Sequence, residues 1–301
     1  MPSTFFGPFG EHNSTYANSG NANLGRFPLG HRLILPDGRV YRFGLNDGTA
    51  EVAGRLYQSV APVANHINVT ADAVRAIGAA VISGTLGATS ASADIYAEGL
   101  VHINDAVGEG YAYRIRRAMT AGNAHALAAG SAVLTVNLEP GDTVQVALDT
   151  TSEITFSRNR FHAVLIHPSP PTAQLSGVAP GVAAADRYAW YQVFGEAAVL
   201  ADGTVLAGLP VQASITTDGA VENAKRRVRT GSTATTGTSD AGALLEDQDG
   251  AEVNVRAMFT TIDTTYDISG PILVNAPLVG MCIKANATSE EALIDLTYLG
   301  R

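Results

Sequence analysis

Short apolar runs separated by turn-forming residues recur along most of the chain. Residues 33–35 and 40–43 flank Pro36-Asp37-Gly38, a run, turn, run pattern in which Asp and Gly supply the tight reversal of a hairpin. Asn46-Asp47-Gly48 repeats the punctuation before a further strand at 56–60. The runs at 101–103, 111–115, 133–138, 144–148 and 163–166 keep strand length and are divided by Gly, Asn, Asp or Pro. Alternation places Tyr111, Tyr113 and Ile115 on one face and Arg114 and Arg116 on the other. One stretch, 70–82, fits two templates: Thr70 could cap a helix carrying Val74, Ile77 and Val81, whereas Gly78 and the apolar pair after it suit a strand.

His167-Pro168-Ser169-Pro170-Pro171 interrupts the pattern, and small residues continue through Gly181, which predicts a linker. Strands resume at 188–194, 198–200 and 211–216, and three last runs lie at 253–259, 278–285 and 293–299. Between them, 225–239 is a basic run followed by a Thr, Ser and Gly tract, read as a long exposed loop or a second arm. The first thirty residues have neither a helical nor a strand period, and a terminus of this composition orders only where something ties it down. The expected architecture is all-β: two β-sandwich or barrel-like domains with an extended N-terminal arm. The arm is expected over 1–32, the domains over 33–168 and 186–301, a linker over 169–185, and a long loop over 225–250. The arm is expected to lie on a neighbouring subunit, with Phe5, Phe6, Phe9 and Phe27 as anchors.

Composition sharpens this picture. Of 301 residues 31 are Gly, and only 16% are charged, where an ordinary soluble domain has roughly a quarter. Ionised side chains are costly to desolvate at the centre of a contact, so this depletion suits large assembly surfaces. A GC-rich coding sequence accounts for much of the same bias, including seventeen Arg against two Lys. The net charge of -9 speaks against nucleic acid or anionic membrane as a partner. Cys282 is the sole cysteine, so no intrachain disulfide forms, and its apolar surroundings at 278–283 predict a core position. No apolar stretch approaches the roughly 20 residues of a membrane helix. Residues 1–10 lack a basic segment leading into an apolar one, so the product is expected to stay where it is made or to leave by lysis.

Catalytic signatures are missing from the sequence: it has no His-Glu-x-x-His, no Cys pair at zinc spacing, no phosphate-binding Gly-Lys loop and no Gly-x-Ser-x-Gly. Of the seven histidines only His162 and His167 lie close together. Asp105 and Glu109 could pose as paired carboxylates, but their Asn, Asp and Gly neighbours predict a turn between strands. The acidic oxygens at 246–249 lack the rest of a calcium loop. No enzyme activity, cofactor or metal is therefore expected. Arg226, Arg227 and Arg229, with Lys225, form the only dense basic cluster and are assigned to a neighbour's acidic patch or to a solvated loop. Trp190, the sole tryptophan, shares a face with Tyr188 and Gln192, opposite Tyr191 and Val193. It is either a contact anchor or a core residue.

Several phrases resemble structural proteins encoded beside the major capsid protein in tailed-phage genomes. They are Leu35-Pro36-Asp37-Gly38-Arg39-Val40-Tyr41-Arg42-Phe43 with 53–59, Tyr96-Ala97-Glu98-Gly99 leading to 103–105 and 108–115, and Tyr188-Ala189-Trp190-Tyr191-Gln192-Val193-Phe194-Gly195 with 198–203. The resemblance implies a capsid decoration or cement protein, made in the host cytoplasm and carried on the outer surface of the virion head. Its implied partners are the major capsid protein and itself, as a homotrimer. The alternative is a glycan-binding, host-attachment module of a tail or fibre, although neither an internal repeat nor heptads support a fibrous stem.

Overall fold

A computed structural model describes residues 4–17, 27–118, 122–224, 244–246, 252–254, 276–285, 290–297 and 299, the two short stretches at 244–246 and 252–254 by their backbone. The first strands are β1 (Thr4–Phe6), β2 (Tyr16–Ala17), β3 (Arg32–Ile34), β4 (Val40–Leu45), β5 (Leu56–Gln58), β6 (Val69–Thr70) and β7 (Val81–Thr85). The middle of the chain adds β8 (Leu100–Asp105), β9 (Ala112–Arg114), β10 (Val133–Asn137), β11 (Glu153–Ser157), β12 (Leu165–Ile166), β13 (Leu175–Val178) and β14 (Arg187–Leu200). Last come β15 (Pro210–Ala213), β16 (Val221–Asn223), β17 (Leu244–Glu246), β18 (Glu252–Asn254), β19 (Leu278–Lys284) and β20 (Glu291–Leu296). Two 3-10 turns, Glu11–Asn13 and Ala64–His66, are the only helical pieces among the described residues. The chain is thus all-β, as its run-and-turn pattern predicts.

The central element is β14, which organises a large, mostly antiparallel sheet of order β1-β3-β4-β14-β20-β19-β15-β16. The pattern predicts two runs here, 188–194 and 198–200, and they form one strand of 14 residues that changes partner midway. Its first half pairs with β4, from Tyr188 opposite Leu45 to Phe194 opposite Val40. Its second half pairs with β20, from Gly195 opposite Leu296 to Leu200 opposite Glu291. The switch falls at Gly195, whose φ of +85° is open to glycine and strained for other residues. Gln192 braces the bend, its Nε2 donating to the carbonyl oxygens of Phe194 at 3.3 Å and Glu196 at 2.8 Å. The hairpin read from Pro36-Asp37-Gly38 is present, β3 and β4 pairing with Leu33 opposite Tyr41.

A second module is nested inside this sheet. β5 and β12 are neighbours, Leu165 opposite Gln58 and Ile166 opposite Tyr57, so the intervening chain leaves the sheet and returns beside its point of departure. That excursion builds a four-stranded sheet of order β6-β11-β8-β9 and the pair β10-β7, which enclose a core including Ile82, Tyr96, Val101, Ile103, Tyr113, Leu134 and Ile154. Of the two templates that fit 70–82, the helix does not form. β6 and β7 occupy its ends, and Val74 and Ile77 are 64% and 69% exposed. The run at 144–148 buries Val144 and Leu148 with a single bridge, Leu148 to Arg75.

The division into units departs from the sequence reading. In place of a linker, 169–185 contains β13, which pairs with β5 and β14. Contacts group Met1–Asn223 with Ala276–Arg301 in one unit, and Ala224–Asn275 in another. The reason is the length of β14, which stitches strands from both expected domains into one sheet. In the second unit the described part is the antiparallel pair β17 and β18, Leu245 opposite Val253. Most of the loop expected over 225–250 and of the run at 253–259 lies outside the described residues.

Candidate interaction surface

The described leader is laid along its own chain's sheet. β1 pairs in parallel with β3, Phe5 opposite Leu33, and β2 pairs with the start of β14, Tyr16 opposite Tyr188. His12 stacks on Tyr41 with ring centroids 5.0 Å apart. Phe27, expected to anchor on a neighbour, packs instead against Phe43 at 5.5 Å and Trp190 at 5.3 Å within the same chain. Aromatic rings at such separations bury large areas with favourable edge and offset geometry, so the sheet's own aromatic face ties the leader down. Phe6 and Phe9 point the other way and are 75% and 62% exposed. For Phe5 the backbone pairing alone is described. Arg226, Arg227 and Arg229 lie outside the described residues.

Trp190 is a core residue. It is fully buried in a cluster with Leu33, Leu35, Tyr41, Phe43, Leu45 and Tyr188, its ring 4.9 Å from that of Phe43. The reading of Trp190 as an intermolecular anchor is corrected accordingly: both faces of β14 are covered, so alternation sends Trp190 to one core and Tyr191 to another.

Three buried polar assemblies are invisible in the sequence pattern. In the first, the Glu51 carboxylate accepts a short hydrogen bond from the Tyr191 hydroxyl, and the Tyr57 hydroxyl accepts the Val52 N–H at 2.8 Å. Burial pushes the Glu51 carboxyl up to about 7, against the opposing effect of the Tyr191 bond. In the second, Glu98 joins the leader to the nested module. Its Oε2 accepts the Leu29 N–H at 2.7 Å, its Oε1 lies 3.1 Å from Arg117 Nε, and Arg117 Nη2 donates to the Phe27 carbonyl at 3.2 Å. Burial raises the Glu98 carboxyl, with the Arg117 cation pulling the other way. The third assembly joins His66, Tyr96 and His125. The Tyr96 hydroxyl bonds His66 Nδ1. His125 Nε2 accepts the Tyr96 N–H at 3.0 Å while its Nδ1 faces the Ala126 carbonyl at 2.9 Å, a set that a neutral imidazole satisfies. Burial lowers the His125 pKa accordingly.

The acids and histidines singled out as candidate chemistry do not converge. His167 lies between the carbonyls of Pro168 and Ala220 at 2.9 and 3.0 Å. Burial, with Arg158 adding to it, pushes His162 down to about 4. Asp105 and Glu109 bracket the turn between β8 and β9, in which Ala106, Gly108 and Gly110 have positive φ. Among the described residues, no three His, Cys, Asp or Glu side chains are placed to hold a metal ion, and no helix is long and apolar enough to cross a membrane.

Among the described residues, exposed apolar side chains flank the pairing of β15 with β19. β19 carries Met281 and Ile283 outward, 44% and 42% exposed, while Val279 and Cys282 turn into the core. Pro210 of β15 pairs with Met281, and the turn before it presents Leu206 and Leu209, 52% and 45% exposed. Their location was hidden because the run 278–283 is apolar throughout, which reads as a strand buried on both faces. Against known proteins, the chain matches no family model, no curated protein and no solved structure.

Proposed function

We propose that this chain is a non-enzymatic structural protein whose work is contact with other subunits of an assembly. Its particular role in this reading is that of a capsid decoration or cement protein. It sits on the outer surface of a phage head and bridges subunits of the major capsid protein, with copies of itself as further partners. The observation that carries the reading is the set of exposed apolar side chains Leu206, Leu209, Met281 and Ile283 where β15 meets β19. Contiguous exposed apolar groups on a soluble chain mark surfaces that another molecule covers. One end of the large sheet adds to it: β1 terminates the strand order, and a sheet edge offers main-chain donors and acceptors to a neighbour's strand. Phe6 and Phe9, exposed beside the β1 edge, supply apolar anchors there. The low charge content and acidic balance agree with protein partners rather than nucleic acid.

The test is binding of the purified chain to expanded heads built from the major capsid protein encoded beside it, read by co-sedimentation and by cryo-EM of the particles. Regular density on the outer surface is expected. The Met281→Asp, Ile283→Asp double variant should keep its thermal midpoint, since both side chains face outward, and lose head binding. Heads that stay bare with the unaltered chain, or full occupancy by the double variant, would overturn the reading.

A further inference from the structure

Parts of four chain segments surround a cleft of about 310 Å³. Leu175, Pro277, Leu278 and Leu299 form its apolar walls, and Arg160 and Gln174 are its polar members. That volume is at the lower end of small-molecule sites, about 300 to 1,000 Å³, and the lining matches their usual make-up: apolar walls with a few placed polar groups.

Arg160 is the unusual member. Its Nη2 donates to the carbonyl of Leu175 and, at 2.8 Å, to that of Leu299. The guanidinium carbon lies 5.3 Å from the centre of the Phe161 ring. These contacts engage both Nη2 hydrogens, and among the described residues none of them matches the charge. Among the described residues no carboxylate pairs with Arg160, and its buried Nε–H meets no acceptor. The charged neighbour it does feel is a second cation, Arg42, and burial lowers its pKa to about 10. At neutral pH it therefore stays protonated. A desolvated cation without a counter-charge is costly, and a carboxylate oxygen accepting from Nη1, the terminal nitrogen not spent on those two carbonyls, supplies that charge. A phosphate dianion would need more than one cation directed into the cleft, whereas the four apolar walls suit an aliphatic body.

We infer that the Arg160 cleft is a binding site for an aliphatic monocarboxylate, the guanidinium holding the carboxylate while Leu175, Leu278 and Leu299 enclose the alkyl part. The acid is either free or the C-terminal carboxylate of a peptide, since both present the same group. The inference stands apart from the assembly reading, and neither depends on the other.

The experiment is a calorimetric titration of the full chain with sodium hexanoate, with 1-hexanol as the neutral control. Saturable hexanoate binding is expected, at least about tenfold tighter than hexanol, because a hydrogen bond between two charged groups is worth that ratio or more. Arg160→Met should abolish it. Because Arg160 also bridges two carbonyls, that variant can lose its fold, so Gln174→Glu serves as a second probe. It keeps Arg160, changes an exposed side chain, and sets a negative charge on the cleft wall. Hexanoate affinity should fall about tenfold or more, as a unit charge within several Å produces at an effective dielectric near 20, with the thermal midpoint unchanged. N-acetyl-leucine run beside hexanoate assigns the source, tighter binding of the former indicating a peptide terminus and of the latter a free acid. Absence of saturable hexanoate binding, equal affinity for hexanol, or an unchanged affinity in Gln174→Glu would overturn the site.

Discussion

Glu51 is held where water cannot reach its carboxylate, 4% exposed, and its hydrogen bond to Tyr191 does not offset the lost hydration. The folded chain keeps the proton up to about pH 7, whereas the unfolded chain releases it near the ordinary value of 4.5. Below 4.5 both states carry the proton and the group contributes nothing to the pH dependence. Between 4.5 and 7 only the unfolded state ionises, so stability falls as pH rises through that window and levels off above it. A shift of this size corresponds to about 3 kcal/mol at most. Glu51→Gln keeps an acceptor for Tyr191 and removes the titration. The difference in unfolding free energy between variant and unaltered chain should therefore grow in the variant's favour from pH 4 to pH 8, read by urea denaturation at each pH. A difference that stays flat would mean that Glu51 ionises freely in the fold. Nothing near residue 51 announces this role, since Tyr191 comes from 140 residues along the chain. Trp190 and Tyr191 were legible to a greater degree: period-two alternation assigns them to opposite faces, and the structure sends them to separate cores. What alternation could not convey is that both faces are covered.

Elements whose determinants are local were readable, and those set by distant partners were not. The Pro36-Asp37-Gly38 hairpin needs only its own turn chemistry, and it forms in the expected place. The helix alternative over 70–82 satisfied a local template, but β7 gains more by pairing with β10 over five residues, Val133 opposite Thr85 through Asn137 opposite Val81. β14 looks like two strands because Gly195 interrupts its apolar run, yet that glycine is what lets one strand serve β4 and then β20. A Cβ at 195 would stand 3.0 Å from Arg39 Cγ and 3.4 Å from its Cα, on a backbone with φ of +85°. Gly203, with φ of +74°, has nothing within 4 Å of the same atom and separates the two contributions. Gly203→Ala should cost about 1 kcal/mol for the backbone alone. Gly195→Ala should cost about 2 to 3 kcal/mol, because Arg39 must also move and the switch between partners is disturbed. Equal denaturation midpoints for the two variants would show that the bend at 195 tolerates a side chain.

For the whole molecule the question is what holds residues 1–30. An arm reserved for a neighbour leaves the isolated chain indifferent to its removal, whereas a leader packed on its own sheet does not. Three independent contacts favour the second account: the β1 and β2 pairings, the Phe27 ring among Phe43, His31 and Trp190, and the Glu98 to Leu29 hydrogen bond with Arg117 on the Phe27 carbonyl. A large apolar side chain contributes about 1.5 to 3 kcal/mol when fully buried and part of that when half-buried, as Phe27 and Leu29 are against the aromatic cluster. Deleting residues 1–30 should thus lower stability by several kcal/mol, a large share of the 5 to 15 kcal/mol typical of a domain. Trp190, being the sole tryptophan, reports the loss directly: its emission should shift to the red as the cover over its ring is removed. An unchanged emission maximum and midpoint would restore the free-arm account. The deletion cannot by itself address assembly, since it takes away Phe6 and Phe9 along with the packing residues. Phe6→Ser with Phe9→Ser does so, because both rings are exposed and neither belongs to the buried clusters. If the leader both seals its own sheet and presents a contact edge, this pair should leave the midpoint and Trp190 emission untouched and weaken attachment to heads alone. A fall in midpoint matching that of the deletion would place these two rings in the fold rather than at a contact.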